Sequence, residues 1–200
     1  MILLENLVEE EEDAYNLSFS LTGEHNLCKK IALGGTFDRL HIGHRSLIDK
    51  ALESGCKSIV IGVVSDKLIH SKVLSVLIKP YNIRAKRVME YIKRKSKEPL
   101  DIIIEPLNDP YGPTINDPEI DTIVVSEETL PRAVEINMIR TEHGLKPLNI
   151  IVVEIIKAED GRPLRATRVR LSEVDENGKL LARMLVFSVS GDPVEQNNSQ

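Results

Sequence analysis

The chain has 200 residues, of which 42% are apolar and 28% charged, with 11 Gly and 10 Pro; this excludes collagen-like, mucin-like and wholly disordered proteins and predicts a soluble globular domain with a single core. The formal net charge of −5 conceals an asymmetry. Residues 1–28 carry seven acids and no Lys or Arg, so the rest of the chain holds 24 acids against 26 bases.

In chain order, the acidic leader runs through Glu9 to Asp13 without a basic n-region, so it does not read as a secretory signal. Within it Leu17, Phe19 and Leu21 alternate with serines, the pattern of an added edge strand. The main domain spans residues 29–181. Ile31–Leu33, Ser58–Val64, Leu100–Ile104, Thr122–Val125 and Asn149–Ile156 are β-branched or Leu-rich runs of strand length. Helical patterns lie between them. Leu47, Ile48, Ala51 and Leu52 share one side of a helix that starts at about His44 and ends at Gly55. Ala85, Val88, Met89 and Ile92 recur at helical spacing, and a third helix runs from about Pro131 to His143. Alternating strands and helices predict a Rossmann-like α/β fold: a doubly wound open sheet of about five parallel strands with helices on both faces. Such sheets bind ligands at the carboxyl ends of their strands.

Residues Lys79–Lys97 hold eight bases and one acid, a stripe that reads first as a solvated helix face. Aromatics make up 4% of the chain and Trp is absent, so stacking platforms for nucleic acid are lacking and small phosphorylated ligands fit better. The loop Asn108–Pro118, with three prolines, is predicted to be neither helix nor central strand. Leu185–Val189 offers a further edge strand, and residues 182–200 form an extension whose polar end, from Gly191, is expected to fray. The longest apolar run, Ile59–Val64, is far below the roughly 18 residues of a membrane span. Two cysteines, Cys28 and Cys56, are too few for a metal site or a disulfide framework, and the expected location is the reducing cytoplasm.

The chemistry concentrates directly after the first strand, in Gly34-Gly35-Thr36-Phe37-Asp38-Arg39-Leu40-His41-Ile42-Gly43-His44. A strand, a glycine turn and a helix start together make an anion site, where glycines admit a phosphate and free N–H groups meet it. Gly43 leaves room for a flat ring at the helix start. His41 and His44, three apart, can point to the same side and donate to phosphate oxygens. Asp38 can cap the turn or hold His41 in one tautomer. A two-histidine metal site is the weaker reading.

This string resembles the first signature of the HxGH nucleotidyltransferases. Ser71-Lys72-Val73-Leu74 with Ile78-Lys79-Pro80-Tyr81 and Arg84, then Asp109-Pro110-Tyr111-Gly112-Pro113-Thr114, and Val124-Val125-Ser126-Glu127-Glu128-Thr129, are similar to the archaeal and eukaryotic phosphopantetheine adenylyltransferases. Where that family reads approximately ISSTRIR, this chain reads Leu164-Arg165-Ala166-Thr167-Arg168-Val169-Arg170, replacing both serines. The resemblance implies transfer of AMP from ATP to 4'-phosphopantetheine, giving dephospho-coenzyme A and pyrophosphate. It implies His44, His41 and Thr36 as catalytic residues, and Gly34, Gly35, Phe37, Gly43, Ser126, Glu127, Thr129, Thr167 and Arg168 beside them as ATP contacts. For the acceptor it offers Thr36, Lys67, Lys72 and Arg84. Mg²⁺ is expected with ATP, without a dedicated protein cage. Coenzyme A is a possible feedback ligand, and neither nucleic acid nor membrane is an expected partner. The oligomeric state is not given by the sequence. Two rivals remain open at this stage: a sibling transferase with another phosphorylated acceptor, and a non-catalytic protein that binds ATP or coenzyme A.

Overall fold

The computed structural model describes residues 28–70 and 74–182, together with the backbone of 186–187 and 193–194. Five parallel strands form one sheet: β1 (Lys30–Gly35), β2 (Ser58–Val64), β3 (Asp101–Leu107), β4 (Ile120–Ser126) and β5 (Asn149–Val153), in the order β3-β2-β1-β4-β5. The helices are α1 (Ile42–Glu53), a short α2 (Asp66–Ile69), α3 (Tyr81–Lys95), α4 (Leu130–Glu142) and α5 (Ala166–Arg170). This is the doubly wound arrangement that the sequence predicts.

Side chains of one strand alternate between two cores, because successive residues point to opposite faces. Ile31, Leu33, Ile59, Ile61 and Val124 pack with Ile48 and Ala51 of α1 and with Val88, Tyr91 and Ile92 of α3. Ala32, Val60, Ile123 and Val125 face Ala133 and Ile136 of α4 on the other side. A strand buried on both faces has no polar side to display, which is why β2 reads as an almost unbroken apolar run. Pro106 is tolerated in β3 because that strand lies at the sheet edge.

Several boundaries differ from the sequence reading. β5 stops at Val153, because the chain turns out of the sheet where the N–H of Ile155 donates to Glu127. α1 starts two residues before His44, with His41 at its N-cap. The proline-rich loop, expected to be non-helical, contains a 3₁₀ turn at Gly112–Ile115 with Pro113 in its first positions, where a missing N–H costs nothing. Of the basic stripe, all but Arg84 is exposed. The expected strand at Leu185–Val189 appears as Val186–Phe187, paired antiparallel with Pro193–Val194 of the tail expected to fray, apart from the main sheet. The expectation for Leu17–Leu21 lies outside the described residues.

Cys28 and Cys56 form a disulfide, with Cα atoms 4.6 Å apart and a sequence separation of 28. The pairing was invisible in a count of two cysteines. The crossover from β1 through α1 returns the chain beside its own start, so the residues preceding β1 and β2 meet. Closing a loop of this length stabilises a fold by about 3 to 4 kcal/mol in the chain-entropy account. Replacing Cys28 by Ser should therefore lower the melting temperature by several degrees under non-reducing conditions. Dithiothreitol should lower the wild-type value by a similar amount and leave the variant unmoved.

Candidate active site at the carboxyl end of the sheet

The crossovers leave the sheet in opposite directions from β1 and β4, and this switch point opens a crevice at their carboxyl ends. Gly34 and Gly35, which open the signature, line it. Leaving β1, the chain passes through Phe37 (φ 51°), Arg39 (φ 62°) and Leu40 (φ 37°), left-handed conformations that side chains other than glycine rarely adopt. Such strain persists only where the surroundings impose it. Here Phe37 and Asp38 are both fully buried. The Asp38 carboxylate accepts bonds from Arg170 Nη1 at 2.9 Å and from the N–H of Lys79 at 3.1 Å. Where the sequence suggested a turn cap or a partner for His41, Asp38 ties three distant segments together.

The two histidines meet as their spacing predicts, their rings stacked at 3.8 Å between centroids. His41 is 6% exposed and His44 half-buried. Burial, reinforced by the charge of Arg45, pushes the pKa of His41 down to about 4. His41 is therefore neutral near pH 7 and offers an N–H rather than a charge. A Cβ on Gly43 would stand 3.2 Å from the His41 ring, so this glycine makes room for a histidine rather than for a ligand ring. Gly35 serves packing too: a Cβ there would stand 3.2 Å from Phe37. Phe37 itself, offered as an ATP contact, belongs to the core.

Arg84 corrects a second expectation. Offered as a phosphate ligand, it is 1% exposed and its guanidinium donates to the carbonyls of Thr36, Val64 and Lys79 and to Asp66. It locks the loop after β1, the end of β2 and the turn before α3 into one body. Thr36 is half-buried where this clamp holds its carbonyl, and Gly34 is exposed beside it. Lys67 is exposed on α2 after β2, positioned for solvent or an anion at this rim. Lys72 lies outside the described residues. Lys79, not singled out by sequence reasoning as a ligand, is carried to the loop of Thr36 by Arg84 and Asp38, and its side chain is exposed. The signal available for it was the Lys-Pro-Tyr string that helped to suggest the family.

Beside Gly34 and Gly35 lies a cavity of about 420 Å³. Its floor is β1, β2 and β4, and its rim carries Tyr111, Thr114, Ser126, Thr129 and Arg132. The proline-rich loop is held there by a second buried arginine. Arg140, 1% exposed, donates to the carbonyls of Thr114, Asp117, Ile120 and Lys146, and burial lowers its pKa. Tyr111 donates its hydroxyl to Glu135 at 2.6 Å, under the guanidinium of Arg132. Ser126 and Thr129 form a reciprocal cap at the turn after β4, and Glu127 is exposed there with its carboxylate on the N–H of Ile155.

The C-terminal signature is tied to the signature loop by Arg170 and to the turn after β4 by Arg165. Arg168, offered as an ATP contact, is turned inward: it is 8% exposed and bonded to Asp160 and Glu173. Arg168 in turn holds the carboxyl of Asp160 down to about 2. Thr167 accepts a bond from Arg170 at 2.8 Å, which leaves its own hydroxyl proton free to donate. Arg165 makes a two-pronged ion pair with Glu128 in the turn after β4.

The cytidylyltransferase-like family model matches residues 32–172. The chain belongs to that family. It is 44% identical over 155 residues to the phosphopantetheine adenylyltransferase of Methanosarcina mazei, covering 76% of this chain and 96% of that one. To the enzyme of the same name from Methanothermobacter thermautotrophicus it is 42% identical over 154 residues, covering 77% and 90%. A crystal structure of a protein of unknown function from Archaeoglobus fulgidus superposes with a TM-score of 0.55 at 40% identity, covering 62% of this chain and 88% of that one. A tyrosyl-tRNA synthetase from the same organism superposes at 0.50 with 10% identity, covering 72% and 60%, a likeness of fold alone.

The buried, neutral state of His41 has a pH signature. The unfolded residue titrates near 6.5 and the folded one at about 4, so the unfolded chain binds more protons in between and stability falls as pH drops through this window. Urea unfolding should show a loss of about 3 kcal/mol from this group between pH 7 and pH 4. In His41→Gln that part of the pH dependence should be absent.

Proposed function

We propose that this chain is a phosphopantetheine adenylyltransferase: it joins 4'-phosphopantetheine and ATP to give dephospho-coenzyme A and pyrophosphate. The observation that carries this reading is that one crevice is lined by residues of three separate motifs: Gly34 and Gly35, which open the histidine signature, the loop of Tyr111, and Ser126 and Thr129 of the turn after β4. Relatives bearing that name at 42–44% identity, matched over nine-tenths or more of their length, support it. A sibling transferase with another acceptor has no comparable support.

A phosphate oxygen of the acceptor attacks the α-phosphorus of ATP, a P–O bond forms, and the bond to the β-phosphate bridging oxygen breaks. Pyrophosphate leaves with that electron pair. The attacking group is already an anion at pH 7, so the protein need supply no nucleophile and no strong base, only alignment and charge stabilisation. His44 donates to the α-phosphate as charge accumulates. His41, neutral, orients the ring stacked on it and adds an N–H. Thr36 stands between the two substrates. Gly34, Gly35, Ser126, Thr129 and Thr167 border the nucleotide, and Lys67 and Lys79 are the described cations available to the acceptor phosphate, with Lys72 a candidate from the sequence. Among the described residues no three His, Cys, Asp or Glu side chains gather as a metal set. Mg²⁺ enters this proposal as part of the MgATP substrate, held mainly by phosphate oxygens and water. Coenzyme A, which carries the product's pantetheine and adenosine parts, is proposed as a feedback ligand of the same crevice. The proposed setting is aqueous: no helix among the described residues is long and apolar enough to cross a membrane.

Purified protein with MgATP should release pyrophosphate with 4'-phosphopantetheine and not with nicotinamide mononucleotide, FMN or no acceptor. His44→Ala should lower kcat by about 10²- to 10³-fold with little change in melting temperature. Folded protein that binds ATP yet turns over no acceptor would favour the non-catalytic reading instead.

A further inference from the structure

The sheet has two edges, and they are defended unequally. β3 carries Asp101, Glu105 and Pro106, residues that discourage a further strand from pairing. β5 reads Asn149-Ile150-Ile151-Val152-Val153, without charge or proline, and no strand among the described residues pairs with its outer edge. Such an edge presents a row of backbone donors and acceptors that an added strand can satisfy.

The ground on either side of that edge differs in kind. On the α4 face, Ile150 packs against the core, and Val152, two residues on and so on the same side, is 42% exposed. Asn137 of α4 turns toward β5, bonding both backbone groups of Leu148. Val134, one turn before it, and Met138, one turn after Val134, are 48% and 62% exposed. On the α1 face, beside Val153 and Ile156, lies a hollow of about 370 Å³ whose α1 wall carries the polar Ser46, Asp49, Lys50 and Glu53. A strand that fits this edge has one apolar side and one polar side.

The acidic leader holds such a segment within reach. In its sequence Leu17, Phe19 and Leu21 alternate with Ser18 and Ser20, which places the apolar three on one side of an extended chain and the serines on the other. Its end is fixed toward β5: the N–H of Lys29 donates at 2.7 Å to Asp121 of β4, the strand between β1 and β5. From β1 the position beyond β5 is three strand spacings away, roughly 14 Å. Residues 22–27 span up to roughly 20 Å when extended. A segment that returns to the amino end of β1 without a crossover runs antiparallel to β5.

We propose that residues 17–21 pair antiparallel with β5 as a sixth strand, with Leu17, Phe19 and Leu21 on the side of Val152, Val134 and Met138 and with Ser18 and Ser20 over the polar hollow. The leader then covers the undefended edge of its own sheet.

Hydrogen–deuterium exchange on the full chain tests this, read in residues 17–21, in β5 and in the buried β2. In wild type, residues 17–21 and β5 should be protected at every protein concentration. Phe19→Asp and Val134→Asp should each speed exchange in both segments by about tenfold, with β2 unchanged as the sign that the domain stays folded. Phe19→Leu should keep the protection. Unprotected residues 17–21 in wild type, or β5 exchange indifferent to Phe19→Asp, would overturn the proposal. Acceleration by Phe19→Asp without any by Val134→Asp would overturn the facing given to the strand. Protection of β5 that grows with protein concentration and survives Phe19→Asp would give the edge to a second copy of the chain instead.

Discussion

A carboxylate with no exposed surface, that of Asp38, joins three segments far apart in the chain just beyond the carboxyl end of β1. It belongs to the signature loop, accepts from the backbone ahead of α3, and pairs with Arg170 at the end of α5. Removing one member of such a buried pair strands the other without solvent, which costs several times more than losing an exposed pair. The strained backbone at Phe37, Arg39 and Leu40 is tolerable because this carboxylate and the Phe37 ring fix the loop from within. His41 and His44 take their places from that loop.

Around this centre, two buried arginines solve a general problem of ligand-binding loops. Loops at the carboxyl end of a sheet carry carbonyls that no ladder pairs, and burying them unpaired is costly. Arg84 gathers the carbonyls of the loop after β1, the end of β2 and the turn before α3. Arg140 gathers those of the proline-rich loop and the chain beyond α4. Arg140 gives its guanidinium wholly to backbone and Arg84 gives all but its bond to Asp66, so these loops are held before any substrate arrives. Rigidity of this kind suits a reaction whose acceleration comes from alignment.

The fold was legible because buried parallel strands and amphipathic helices carry distinct periods, and β2 and α3 show them plainly. The signature was legible because its glycines, threonine and histidines stand next to each other. What the sequence hid is the work of residues far apart in it. Arg84 and Arg168 resemble ligands in a string of letters, but their positions on inward faces assign them to carbonyls and carboxylates. Gly43 was read as space for a ligand and proves to be space for His41. The Cys28–Cys56 bond and the Arg165–Glu128 pair depend on strand order, which local patterns do not encode.

Asp38 and Arg170 are expected to act as one unit in holding the signature loop. Pyrophosphate release measured across a cycle of Asp38→Asn, Arg170→Gln and the double variant tests it. Each single change should remove most of the rate, and the double variant should lose hardly more than either. Losses that multiply in the double variant would show two independent contributions and contradict it.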